Sequence, residues 1–163
     1  MNPITVSIVE DLAEIREGLE NLVRLSGNFL LLSTYSNAET AIHKIPEEQP
    51  QIVIMDINLP GISGIDCIRS IKHVCPDTQF IMYTIFEDDD KVFEALEAGA
   101  SGYLLKKTPK ERKVVKIDRF QKIIESAMKQ SLHYYIPKLN EPITLKEFIK
   151  KKSSQLLKVV SVF

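Results

Sequence analysis

Compact, β-branched apolar runs alternate along this chain with segments whose apolar residues recur every three or four positions, and the pair repeats five times. The runs suit a pleated strand, and the three-four spacing draws one apolar stripe along a helix. Ile4-Thr-Val-Ser-Ile-Val9 is predicted as the first strand. Leu12, Ile15, Leu19 and Leu22 form the stripe of a first helix, opposite Glu14, Arg16, Glu17 and Glu20. Phe29 to Tyr35 follows as the second strand. Asn37 is the expected N-cap of a helix near Ala38–Lys44, with Pro46 and Pro50 punctuating what comes after. Gln51-Ile-Val-Ile-Met-Asp56 is almost wholly apolar, as a central strand covered on both faces should be. A Pro- and Gly-bearing loop, Leu59 to Gly64, leads to a third helix carrying Ile65, Ile68, Ile71 and Val74. Gln79 to Thr84 is the fourth strand. A fourth helix bears Val92, Ala95, Leu96 and Ala98 and is closed by Gly99, and Ser101 to Leu105 is the fifth strand. Val114, Ile117, Phe120, Ile124 and Met128 mark a fifth helix beginning near Pro109. Five β-α pairs with short connections require a parallel sheet with helices on both faces, a doubly wound α/β fold.

With 163 residues, 44% of them hydrophobic and 26% charged, the chain has material for one core and a short appendage. No apolar run approaches the ~18–20 residues that cross a membrane, and the first residues lack the cationic start of an export signal. Cys67 and Cys75 are therefore expected as reduced thiols in the cytoplasm, and with His43, His73 and His133 they show no zinc-ligand spacing. The net charge of −1 conceals an asymmetry. Residues 1–105 hold 17 acidic and six basic side chains, whereas residues 106–163 hold five acidic and 15 basic. After Gln130 the β-α rhythm stops. Residues 131–163 read as a basic tail with one short helix near 145–152, signalled by Thr144-Leu-Lys-Glu147.

In doubly wound sheets ligands gather outside the carboxyl ends of the strands. Glu10-Asp11 ends the first strand here, Asp56 the third, Thr84 the fourth and Lys106 the fifth. Each has an ordinary role when taken alone: Asp11 as a helix cap, Asp56 in a turn, Thr84 as a strand former, Lys106 as a solvated charge. Their joint placement argues for chemistry. Carboxylates crowded together need a cation, and hard oxygen ligands with room for water and phosphate favour Mg²⁺. Asp56 would then act as a nucleophile toward phosphorus, with Lys106 and Thr84 on the phosphoryl oxygens.

The sequences Ile-Val-Glu10-Asp11, Ile-Val-Ile-Met-Asp56-Ile-Asn-Leu-Pro-Gly-Ile-Ser-Gly64, Met-Tyr-Thr84 and Ala-Leu-Glu-Ala-Gly-Ala-Ser-Gly-Tyr-Leu-Leu-Lys106 resemble the receiver domain of bacterial two-component response regulators. The Gly-Ala-Ser-Gly-Tyr-Leu-Leu-Lys wording is most similar to receivers of LuxR-type transcriptional regulators. The resemblance covers about residues 3–130 and implies a receiver domain over 1–130 of flavodoxin-like (βα)5 fold, strand order 2-1-3-4-5. It implies that Asp56 accepts a phosphoryl group from a phosphohistidine on a sensor histidine kinase. Asp11 and Glu10 are implied ligands of Mg²⁺, joined by Asp56 and the backbone carbonyl of Asn58. Thr84 is implied as the switch hydroxyl, Tyr103 as the aromatic switch and Lys106 as the phosphate-binding lysine. Phosphorylation would favour one packing of the surface around the fourth helix, fifth strand and fifth helix, and a homodimer through the fifth helix is a further implied consequence.

Such a receiver is a signalling phospho-acceptor, limited to its own phosphotransfer and dephosphorylation. LuxR-type regulators continue into a four-helix DNA-binding unit, and residues 131–163 contain no recognisable one. The alternative reading is a DNA-binding regulator with a truncated or diverged output region, supported by Lys150-Lys-Lys152 and the basic fifth helix. An aspartyl phosphatase is disfavoured because Asp56-Ile-Asn58 offers no second carboxylate two residues on.

Overall fold

The computed structural model describes residues 3–106 apart from Asn28 and Glu87. In chain order it contains β1 (Ile4–Val9), α1 (Ala13–Leu25), β2 (Phe29–Tyr35), α2 (Ala38–Glu48), β3 (Ile52–Met55), α3 (Gly64–Ile71), β4 (Gln79–Thr84), α4 (Asp89–Ala98) and β5 (Gly102–Leu105). All four strand pairings are parallel, and the order is β2-β1-β3-β4-β5. The reversal of winding direction at β1 and β3 places the carboxyl ends of these two strands side by side, with Val9 opposite Met55.

Alternation along the strands sorts the core into two layers. Val9, Val53, Met55, Phe80 and Met82 face one side and pack with Ala41 and Ile45 of α2, Ile65 and Ile68 of α3, and Ala95 of α4. The alanines keep these helices close to the sheet. Ile4, Val6, Ile8, Ile52, Ile54 and Ile81 face the other side and pack with Leu19 and Val23 of α1. All four residues of β3 are buried, as their unbroken apolar run requires. Between Val6 and Ser7 the β1–β2 register shifts, so Leu32 of β2 is passed over in the pairing.

Several boundaries differ from those expected. Leu12 precedes α1 at its N-cap and is 55% exposed, so it is not part of the buried stripe; Ile15, Leu19, Leu22 and Val23 supply that. No side chain caps α1, so Asp11 does not play the helix-capping role open to it. Pro46 lies inside α2, which runs to Glu48. A proline removes one main-chain bond toward the preceding turn. Burial of Ile45 and the bond from Gln49 N–H to the Ile45 carbonyl hold the last turn together despite that loss. α3 stops at Ile71, and Val74 lies in the turn beyond it, 46% exposed. Asn37 does cap α2, its side chain accepting from Thr40 N–H at 2.8 Å, and Gly99 does close α4 with φ 105°. The expected fifth helix and the helix near 145–152 lie outside the described residues. Among those described, no helix is long and apolar enough to cross a membrane.

Candidate functional site

The end of β1 continues for one rung beyond the strand, because Glu10 N–H donates to the Tyr35 carbonyl at 3.0 Å. This directs the Glu10 side chain into the protein, where it is 1% exposed. Arg16, one turn into α1, reaches back and donates to the carbonyls of Glu10 (2.7 Å) and Asp11 (3.1 Å), fixing the backbone that presents both carboxylates. Asp56 follows β3 directly, and its N–H donates to the Val9 carbonyl at 2.9 Å, which locks the ends of β1 and β3 together. Its Oδ1 accepts from Ile57 N–H at 2.8 Å.

The loop after Asp56 is tied down at both ends. Gly64 N–H donates to the Ile57 carbonyl at 2.9 Å, and a Cβ at Gly64 would collide with the Asp56 carbonyl oxygen. Only glycine allows α3 to begin so close to the acidic residue. Within the loop, Ile62 N–H donates to Glu39 Oε1 of α2 at 3.2 Å. Asn58 lies in this loop and is exposed.

Lys106 closes the pocket. Its N–H extends β5 by donating to the Thr84 carbonyl at 2.8 Å, and its Nζ lies 2.7 Å from Glu10 Oε2 and 2.9 Å from Asp56 Oδ2. Carboxylate oxygens of Glu10, Asp11 and Asp56 all lie within 4.8 Å of one another. At that spacing two charges repel by roughly 3 kcal/mol in a medium of effective dielectric 20. One ammonium offsets one of three carboxylates, and the set has the composition and spacing to take a hard divalent cation. Burial pushes the Glu10 carboxyl above its ordinary range, opposed by Lys106. Burial works against the charge on Lys106 as well, but its hydrogen bonds to Glu10 and Asp56 outweigh this and raise its pKa.

Two further groups come from the strands next to the pocket, β4 and β5. Thr84 ends β4 with its hydroxyl fully buried and with no hydrogen-bond partner among the described residues. Tyr103 of β5 is half-buried against the layer formed by α2, α3 and α4, and its hydroxyl donates to the Phe86 carbonyl at 3.1 Å. Burial, with Asp88 and Asp56 nearby, raises its phenol pKa. Thus Glu10, Asp11, Asp56 and Lys106 converge, Thr84 lies at the end of the strand that Lys106 pairs with, and Tyr103 points toward the β4–α4 connection. Arg16 and Gly64, which build the site from behind, were not singled out from sequence. Arg16 reads as one more charge on a polar helix face, and Gly64 as one of two turn glycines.

The family model described as response regulator receiver domain matches residues 6–118. A second model, described as RNA methyltransferase domain, matches residues 94–162, less than half of the chain. The transcriptional regulatory protein LnrK of Bacillus subtilis is 39% identical over 103 residues, 63% of this chain and 47% of that protein. Among solved structures, a DNA-binding response regulator of the LuxR family from Staphylococcus aureus is 26% identical with TM-score 0.60, covering 74% of this chain and 98% of that one. A LuxR-family two-component response regulator from Aurantimonas sp. SI85-9A1 shares the fold at 24% identity with TM-score 0.63, covering 81% and 100%. The chain spans about half the length of the curated relatives it matches.

Proposed function

From the premise that this chain belongs to the response regulator receiver domain family of two-component systems, we propose that Asp56 is its phospho-acceptor. The supporting observation is the position of Lys106 Nζ between Asp56 Oδ2 and Glu10 Oε2, together with a buried hydroxyl on Thr84, at the end of the strand that Lys106 pairs with, that has no partner among the described residues. A lone lysine between two carboxylates would be a structural ion pair. An adjoining third carboxylate and an idle hydroxyl suit a site that receives a further charged group.

In this reading the Asp56 carboxylate attacks the phosphorus of a phosphohistidine on a sensor histidine kinase. A P–O bond forms, the P–N bond breaks, and the imidazole nitrogen keeps the electron pair. Asp11, Asp56 and the Asn58 carbonyl would hold Mg²⁺, with Glu10 beside them; when bound, the ion offsets charge on the carboxylates and the transferring oxygens. Lys106 swings its ammonium from Glu10 toward one phosphoryl oxygen, and the Thr84 hydroxyl donates to another. Tyr103 follows Thr84 and alters the surface around α4 and β5 that a partner reads. The receiver domain is assigned to residues 1–130, with residues 131–163 as an appended basic segment. The role is one of signalling, with phosphotransfer and dephosphorylation confined to the chain's own aspartate.

Binding of beryllofluoride in the presence of Mg²⁺, followed by fluorine NMR, tests the assignment. The wild-type chain should give a bound fluoride signal, Asp56→Asn should give none, and Asp11→Ala should need far more Mg²⁺. A bound signal that persists in Asp56→Asn would move the acceptor elsewhere.

A further inference from the structure

We propose that the outer edge of β2 is a docking strand, and that its occupant is this chain's own segment 156–163, added to the sheet by main-chain pairing. β2 is the last strand on its side of the sheet, so among the described residues one row of its N–H and C=O groups has no strand to pair with. Edge strands are usually kept from sticking by charges, prolines or brevity. β2 has seven residues, Phe-Leu-Leu-Leu-Ser-Thr-Tyr, with no charged side chain and no proline. Leu30 and Leu32 are 47% and 42% exposed on it. A bulge at Leu32 breaks the register with β1, and it is the one blunting feature the strand carries.

Charge selects the occupant. α1 and α2 flank β2 on its two faces. Phe29 packs in one layer with Leu19 and Val23 of α1, and Ser33 donates its hydroxyl hydrogen to Glu48 of α2. Together these helices carry six carboxylates against three lysine or arginine side chains. A second copy pairing edge to edge would bring acidic helices against acidic helices. Segment 150–163 is the complement, with Lys150, Lys151, Lys152 and Lys158 and no acidic residue. Within it Leu-Leu-Lys-Val-Val-Ser-Val-Phe is rich in β-branched and apolar residues and is one residue longer than β2. The 49 residues between Lys106 and Leu156 are ample to reach the far side of a domain this size. No side chain of the acidic pocket comes from β2, so docking leaves that site open.

Hydrogen exchange of the full chain, read by mass spectrometry, tests this. Alternate amides of β2 point away from β1 and exchange quickly unless something pairs with them. The peptide covering 29–35 should be protected in the wild-type chain, and at least about tenfold less so in Val160→Pro, which removes a pairing N–H. Leu157→Asp should act in the same direction through its side chain. The peptide covering 52–55 should be unchanged in both variants, showing that the sheet is intact. Equal exchange of 29–35 in wild type and both variants would overturn the proposal. So would protection that survives Val160→Pro and grows with protein concentration, since the occupant would then be a second copy. Beryllofluoride binding should be the same in Val160→Pro and wild type, which separates failure here from failure of the Asp56 assignment.

Discussion

Thr84 holds a hydroxyl that is fully buried and, among the described residues, without a partner. An unsatisfied buried hydroxyl lowers stability by about 1–3 kcal/mol. Thr84→Val replaces it with a methyl of the same shape and keeps the strand-forming branch at Cβ. The variant should unfold at higher denaturant, by about 1 kcal/mol, while losing the change in surface that follows phosphorylation. Equal or lower stability would mean that the hydroxyl already has a partner. At this scale the sequence carried much of the site, because strand ends in a parallel sheet converge by topology: Glu10, Asp56, Thr84 and Lys106 could be placed before any distance was known. Arg16 could not, since its contribution is two bonds to backbone carbonyls and no pattern of side chains records them. Gly64, by sequence, is a turn glycine like Gly61. Its purpose is the space it leaves beside the Asp56 carbonyl, which only the folded backbone reveals.

Among the elements, α3 is the one whose start is most tightly constrained. Ser63 caps it by accepting from Asp66 N–H at 3.1 Å, and Gly64 packs on the carbonyl of Asp56. Gly64→Ala should therefore destabilise the fold by about 2 kcal/mol or more, as overpacking against rigid backbone does, and should also displace Asp56. Chemical denaturation together with beryllofluoride affinity would check both. An unchanged midpoint would mean that α3 shifts freely. Strands were legible because their composition is distinctive, and three of the five, β1, β2 and β4, match their expected bounds. Helix ends were less so. Pro46 looked like a stop, yet α2 runs past it, because the buried Ile45 and the closing turn at Gln49 depend on tertiary packing that local propensity does not contain.

For the molecule as a whole, the two cysteines report on the integrity of the core. Cys67 and Cys75 are both fully buried and unpaired with each other. Burial, with Glu39 adding to it, pushes the Cys67 thiol from 9.0 to about 12. Between those values the unfolded chain gives up a proton that the folded chain retains. The stability present below pH 9 therefore declines as pH rises toward about 12. Cys67→Ala should flatten that decline, by up to about 1.4 kcal/mol per pH unit, in denaturation series from pH 9 upward. Identical slopes would place the thiol in contact with water. The parallel sheet and its two-sided core follow from alternating β-α periodicity and short connections, whereas the strand order is implied by the family resemblance and not by the periodicity. The edge exposure of β2 was not legible, because Phe29 to Tyr35 reads as any apolar strand until its neighbours are known.

The signalling role depends on Asp56 being the residue that takes up phosphorus. Intact-mass spectrometry of the full chain incubated with acetyl phosphate and Mg²⁺, followed by peptide mapping, addresses this directly. The wild-type chain should gain one phosphoryl group on the peptide containing Asp56, the gain should vanish when Mg²⁺ is chelated, and Asp56→Asn should gain nothing. A phosphoryl group on any other peptide, or an undiminished gain in Asp56→Asn, would contradict it.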